Sequence, residues 1–164
     1  MSVSLQYRVN TTVTEQVETN PPSSQAARCR VEHDRLNASA DLDAASSVPV
    51  TKVANFDQAL TAGAATIDLT ALPGINGATV NGSGLKVQLL RVNGKSTNAN
   101  AITLTEGASN GYELAGNAWK AAVQAGQELT FYANEKAPDI GSGAKTIDLA
   151  GTETQALEVL IVMG

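Results

Sequence analysis

Leu85-Lys86-Val87-Gln88-Leu89-Leu90-Arg91-Val92-Asn93-Gly94 alternates apolar and polar residues as far as Leu89 and then slips phase. A period of two places Leu85, Val87 and Leu89 on one face of an extended strand. The shift at Leu90 and Val92 predicts a β-bulge, and Asn93-Gly94 predicts a turn. The same grammar continues on both sides. Ala101-Ile102-Thr103-Leu104-Thr105 precedes Glu106-Gly107, and Leu129-Thr130-Phe131-Tyr132-Ala133 is rich in residues that favour strands. Upstream, Thr66-Ile67-Asp68-Leu69-Thr70 leads to Leu72-Pro73-Gly74, and Ala78-Thr79-Val80 leads to Asn81-Gly82-Ser83-Gly84. The stretch from Trp119 to Val123 fits either strand or irregular structure. Strands spaced by about 8–12 residues between Gly, Asn and Pro turns predict an all-β fold, a β-sandwich or jelly-roll-like barrel. After residue 50 no amphipathic segment is long enough for the crossover helix a parallel sheet requires.

The N-terminal region has its own character. Val3, Leu5, Tyr7 and Val9 alternate with Ser4, Gln6, Arg8 and Asn10, until Pro21-Pro22 ends the ladder. Residues 1–24 are therefore expected to form an extended N-terminal strand or arm, and residues 25–164 the β-sandwich domain. Cys29, Val31 and His33 alternate with Arg30 and Glu32, which favours a strand over a short helix. Residues 37–47 read as a loop, with extended structure resuming at Val48. One internal echo is present: Gly63-Ala64-Ala65-Thr66-Ile67-Asp68-Leu69 against Gly143-Ala144-Lys145-Thr146-Ile147-Asp148-Leu149. Two strands entered by the same turn chemistry account for it, whereas a duplicated half-sandwich lacks support from the intervening segments.

Composition narrows the function. Alanine supplies about one residue in six and aromatics only 4%, so a lone copy has few large core anchors. Charged residues are 16% of the chain against about 25% in typical soluble domains, which suits a surface partly covered in use. The net charge of −5, with Glu32 and Asp34 offsetting Arg28, Arg30 and Arg35, argues against nucleic acid as a partner. No apolar run reaches the roughly 18 residues of a membrane helix. Met1-Ser2-Val3-Ser4-Leu5 lacks a basic region followed by an apolar core, so a chain made in a reducing cytoplasm is expected. With Cys29 the only cysteine, no intrachain disulfide or thiolate cage forms, and a small buried hydrophobe is the expected role.

The chemistry-bearing residues are sparse. His33 is the only histidine, and in a strand its neighbours Glu32 and Asp34 project to the opposite face. Cys29 and His33 stand about 13 Å apart in extended backbone, too far for a nucleophile–base pair. Asp34, Asn37, Asp41 and Asp43 offer oxygens for Ca²⁺ but match no EF-hand spacing, and such residues are routine in turns. Asn110-Gly111-Tyr112 and Trp119 offer aromatic faces to a sugar, although core packing is the commoner use. The sequence thus predicts no enzyme, no catalytic residue, no cofactor and no metal.

Leu157-Glu158-Val159-Leu160-Ile161-Val162-Met163 is apolar on both faces after Glu158. Such a strand is central in a sandwich or pressed against a neighbour. Val159, Leu160, Ile161, Val162 and Met163 are accordingly the candidate subunit interface of a homo-oligomer.

From about His33 to Gly164 the chain resembles small structural proteins encoded among tailed-phage head and tail genes. The residues that carry this are His33-Asp34-Arg35-Leu36-Asn37, Pro49-Val50-Thr51-Lys52, Thr66-Ile67-Asp68-Leu69, Asn98-Ala99-Asn100-Ala101-Ile102, Gly107-Ala108-Ser109-Asn110-Gly111-Tyr112 and Leu157 to Gly164. The resemblance implies a virion component, with decoration of the capsid favoured because tailed-phage shell proteins are larger and mixed α/β. It further implies a trimer matching capsid symmetry, with the major capsid protein or other virion proteins as partners. The alternative is a β-sandwich module that binds glycans or the host surface as part of a tail or fibre.

Overall fold

The computed structural model describes residues 2–18, 28–132 and 136–164, with Val17, Glu18, Arg28 and Cys29 defined in their backbone alone. The chain divides into two compact units, Leu5–Leu42 and a second comprising Met1–Ser4 with Asp43–Gly164. This division falls after Leu42, whereas the sequence places it after residue 24.

The first unit is an antiparallel ribbon of two strand pairs. β1 (Leu5–Val9) pairs with β4 (Ala38–Leu42), and β2 (Val13–Glu18) pairs with β3 (Arg28–His33). Between the pairs, residues 10–12 on one side face residues 34–37 on the other, and Asn37 Oδ1 accepts the Thr11 N–H at 2.7 Å. That extra residue changes the phase of the returning strand from odd positions (Val31, His33) to even ones (Ala38, Ala40, Leu42). The loop expected over residues 37–47 is thus in part a strand. Ala, Ser and Asp have low strand propensity, but alternation at 38, 40 and 42 and pairing to β1 override it.

The second unit contains β5 (Lys52–Ala59), β6 (Ala64–Asp68), β7 (Leu72–Pro73), β8 (Thr79–Val80), β9 (Val87–Gly94), β10 (Ile102–Glu106), β11 (Lys120–Val123), β12 (Glu128–Tyr132), β13 (Thr146–Ala150) and β14 (Ala156–Met163). Two four-stranded antiparallel sheets run in the orders β12-β9-β14-β5 and β11-β10-β13-β6, with β7-β8 a small separate hairpin. The ladders join β5 to β14, β6 to β13, β9 to β12 and β10 to β11. This unit is thus a long double ribbon wound across two sheets, the winding of an eight-stranded jelly roll. Between the sheets lie Leu90, Val92, Leu157, Val159, Ile161 and Met163 from one side, and Ile67, Ile102, Leu104, Ile147 and Leu149 from the other.

The phase slip in Leu85–Gly94 resolves as a bulge at Gln88, since Val162 lies opposite Leu89 while Met163 lies opposite Val87. Val87, Leu90 and Val92 consequently all reach the core. Asn93-Gly94 is not a turn: both residues belong to β9, and the chain turns at Lys95, whose carbonyl accepts the Asn98 N–H. Gly94 is required by proximity, because a Cβ there would stand 2.2 Å from the Gln124 carbonyl oxygen. The internal echo has a local explanation. Its two copies are neighbours, with Ile67 directly opposite Ile147, and each strand is preceded by a two-residue turn, Thr61 to Ala64 and Gly141 to Ala144.

Candidate functional site

His33 sits on β3, more than half exposed, with Nε2 3.4 Å from Glu15 Oε2 on β2. Glu15 lies opposite Val31, so the contact is a diagonal across the ribbon. Glu32 pairs with Arg30 instead, at 2.9 Å. The Cys29 side chain lies outside the described residues. Three of the four oxygen-bearing residues have separate side-chain engagements. Asn37 receives the Thr11 N–H, Asp41 receives Gln6 at 2.9 Å, and Asp43 receives the Ala45 N–H and the Ser46 hydroxyl. These last two bonds hold the Asp43 carboxyl below its ordinary range. Among the described residues no three His, Cys, Asp or Glu side chains converge as a metal site.

Tyr112 and Trp119 are interior groups. The Tyr112 ring is fully buried, and its hydroxyl donates to the Pro138 carbonyl at 2.8 Å while accepting the Val87 N–H at 3.0 Å. Burial pushes its phenol up to about 12 against the opposing effect of the Val87 N–H. Trp119 donates its indole N–H to the Tyr112 carbonyl at 2.8 Å and meets Phe131 edge-on, with ring centroids 5.8 Å apart. This aromatic column ties the connection after β10 to both sheets and offers no ring face to a sugar.

The C-terminal strand β14 runs between β9 and β5. Val159, Ile161 and Met163 point into the chain's own core and are at most 1% exposed, while Val162 on the other face is 3% exposed. Leu160 alone of the five stays half-buried. The candidate interface residues are therefore mostly used within one copy.

Two other surfaces stand out. On the ribbon, Leu5 opposes Leu42, Tyr7 opposes Ala40 and Val9 opposes Ala38, giving one continuous apolar face. The reverse face carries Gln6, Arg8, Ser39 and Asp41, with Arg8 3.8 Å from Asp41. No described residue of Leu5–Leu42 is buried. Alternation in residues 3–9 foretells half of this face. The other half is hidden because residues 38–42 lack strand-forming side chains.

The second surface is the outer face of the β12-β9-β14-β5 sheet. Leu160 is flanked by Asn55 on β5 and Arg91 on β9, and in the next row Glu158 is flanked by Asp57 and Asn93. Asn55, Arg91, Asn93, Glu158 and Leu160 line an open groove of about 210 Å³. Arg91 is neutralised by Glu128 at 2.5 Å, which holds the Glu128 carboxyl low, and Asn93 donates to Glu158 at 3.1 Å. No sequence motif announces these residues, since they come from three strands far apart in the chain. No protein-family model, curated protein or solved structure matches the chain.

Proposed function

We propose that this protein is a non-enzymatic structural component of a tailed-phage virion, a capsid decoration protein that associates with itself and binds the head surface. The ribbon Leu5–Leu42 carries the proposal. A two-stranded ribbon is at best marginally stable in water, and this one has an apolar face and, among its described residues, none that is buried. Val9 and Val13 are 37% and 54% exposed and Leu36 is 86% exposed. An arm of that composition gains its stability by lying against a neighbouring subunit or the capsid. The resemblance to small phage head and tail proteins and the sparse charge point the same way. A jelly roll with its core intact supplies the rigid body from which such an arm works.

The test uses the full chain with Val9→Asp and Val13→Asp together, both at exposed positions where the fold itself loses little. Light scattering should give a multiple of 16.9 kDa for the native chain and 16.9 kDa for the variant. Native protein should co-sediment with phage heads and the variant should not. A native chain that stays at 16.9 kDa and ignores the heads overturns the assignment.

A further inference from the structure

We propose that the groove on the outer face of the β12-β9-β14-β5 sheet binds a neutral sugar ring. Its lining decides the ligand class by elimination. Phosphate needs uncompensated positive charge, whereas Arg91 is already paired with Glu128. A divalent cation needs several converging oxygen anions, and Glu158 is the one carboxylate in the lining. A protein hot spot needs a deep apolar pocket for an aromatic or arginine anchor, but here the apolar floor is a single half-buried Leu160 among polar groups.

What remains is a ligand that is uncharged, hydroxylated at its rim and apolar across its C–H face. Each sugar hydroxyl both donates and accepts, so it is satisfied by side chains that present both functions close together. Asn55 offers an exposed amide with both. Asn93 keeps its carbonyl oxygen, because its nitrogen is the group donating to Glu158 Oε2, and Glu158 keeps its other oxygen. Leu160 lies between them in the sheet, opposite both Asn55 and Arg91, as an apolar floor for the C–H face. The register of three hydrogen-bonded strands fixes the spacing of these groups, so the site is preorganised. The volume accommodates about one ring. The lining draws on no residue of Leu5–Leu42, so its failure or success is independent of the assembly reading.

A monosaccharide has about a dozen non-hydrogen atoms, and at ordinary ligand efficiency the dissociation constant is about 1–10 mM. The experiment titrates the full, ¹⁵N-labelled chain with the methyl glycosides of glucose, galactose, mannose and N-acetylglucosamine to about 50 mM. At least one should shift the side-chain amide signals of Asn55 and Asn93 and the backbone amide of Leu160, saturably. Asn55→Ala should weaken that sugar about tenfold without lowering the melting temperature. Glu158→Gln, which keeps the shape, should weaken it by a smaller factor. The proposal is overturned if none of the four sugars shifts these signals, if the shifts centre elsewhere, or if both variants bind as the native chain does.

Discussion

Replacing Tyr112 with Phe removes one oxygen atom and leaves two backbone groups without their partner. The hydroxyl is the acceptor for the Val87 N–H at 3.0 Å and the donor to the Pro138 carbonyl at 2.8 Å, and both Tyr112 and Val87 are 0% exposed. Two net hydrogen bonds contribute about 1 kcal/mol each, and a buried N–H left unpaired adds about 1 kcal/mol or more. The Pro138 carbonyl is only half-buried and recovers water, so Tyr112→Phe should destabilise the protein by about 2–3 kcal/mol. With a urea slope of about 2 kcal/mol/M, the unfolding midpoint should fall by about 1–1.5 M while the slope stays unchanged. A second reading of the same bond comes from pH. The folded-state phenol titrates at about 12, above the ordinary value of 10.0, so the native state holds its proton where the unfolded chain releases it. That stabilisation is complete below pH 10 and is lost as pH rises through the interval to about 12. Native protein should therefore lose about 1.4 kcal/mol between about pH 9 and pH 11 that the Phe variant does not lose. The gap between the two should narrow accordingly. A gap below about 0.5 kcal/mol at neutral pH, or one that stays constant across the alkaline range, would refute the reasoning.

Two further outcomes follow from the geometry. Ala62 has φ 50° and Gly63 φ 82°, so the turn into β6 needs two left-handed residues and supplies one alanine; Ala62→Gly should raise stability by about 0.5–1 kcal/mol, read as a higher melting temperature, and a lower one contradicts the strain. Burial acts to raise the Asp68 carboxyl, but hydrogen bonds from Lys145 at 2.7 Å and Thr70 outweigh it and hold it below its ordinary range. Its stabilisation is thus present above pH 3.8 and disappears as pH falls through the lower folded value. The pair is about a third exposed, so Asp68→Asn should cost about 1 kcal/mol at neutral pH and flatten the acid limb of a stability–pH curve. An unchanged acid limb would show that other carboxylates govern it.

The local strands were legible in the sequence because period-two alternation needs no knowledge of partners. Ile102 to Thr105, the slip after Leu89 and the apolar run ending at Met163 all correspond to ladders in the structure. Partners were not legible. β5 and β14 pair across about a hundred residues, and nothing in either strand names the other. Local composition also misled where pairing decided the outcome, as for Ala38 to Leu42 and for Asn93-Gly94, whose turn-forming chemistry is overridden by the close approach of Gln124. For the C-terminal strand the pattern of two apolar faces was correct. The sequence cannot show that Val162, between Val53 and Leu89, is already closed off within one chain. The groove was invisible for a related reason: Asn55, Arg91 and Glu158 become neighbours only when three strands are aligned.

The place of β14 governs when this protein acquires its structure during synthesis. β5 and β9 are not neighbours in their sheet; each is hydrogen-bonded to β14, which is made after both of them. Until residues 156–163 have left the ribosome, Ala54, Phe56, Leu90 and Val92 have no strand between them to complete the inner face. The nascent chain therefore carries two unpaired apolar edges until β14 has emerged, and the sheet closes in one late step dominated by long-range contacts. A ribosome stalled before Ala156 holds an aggregation-prone intermediate, and slowing translation upstream of that residue gives this domain no head start in folding.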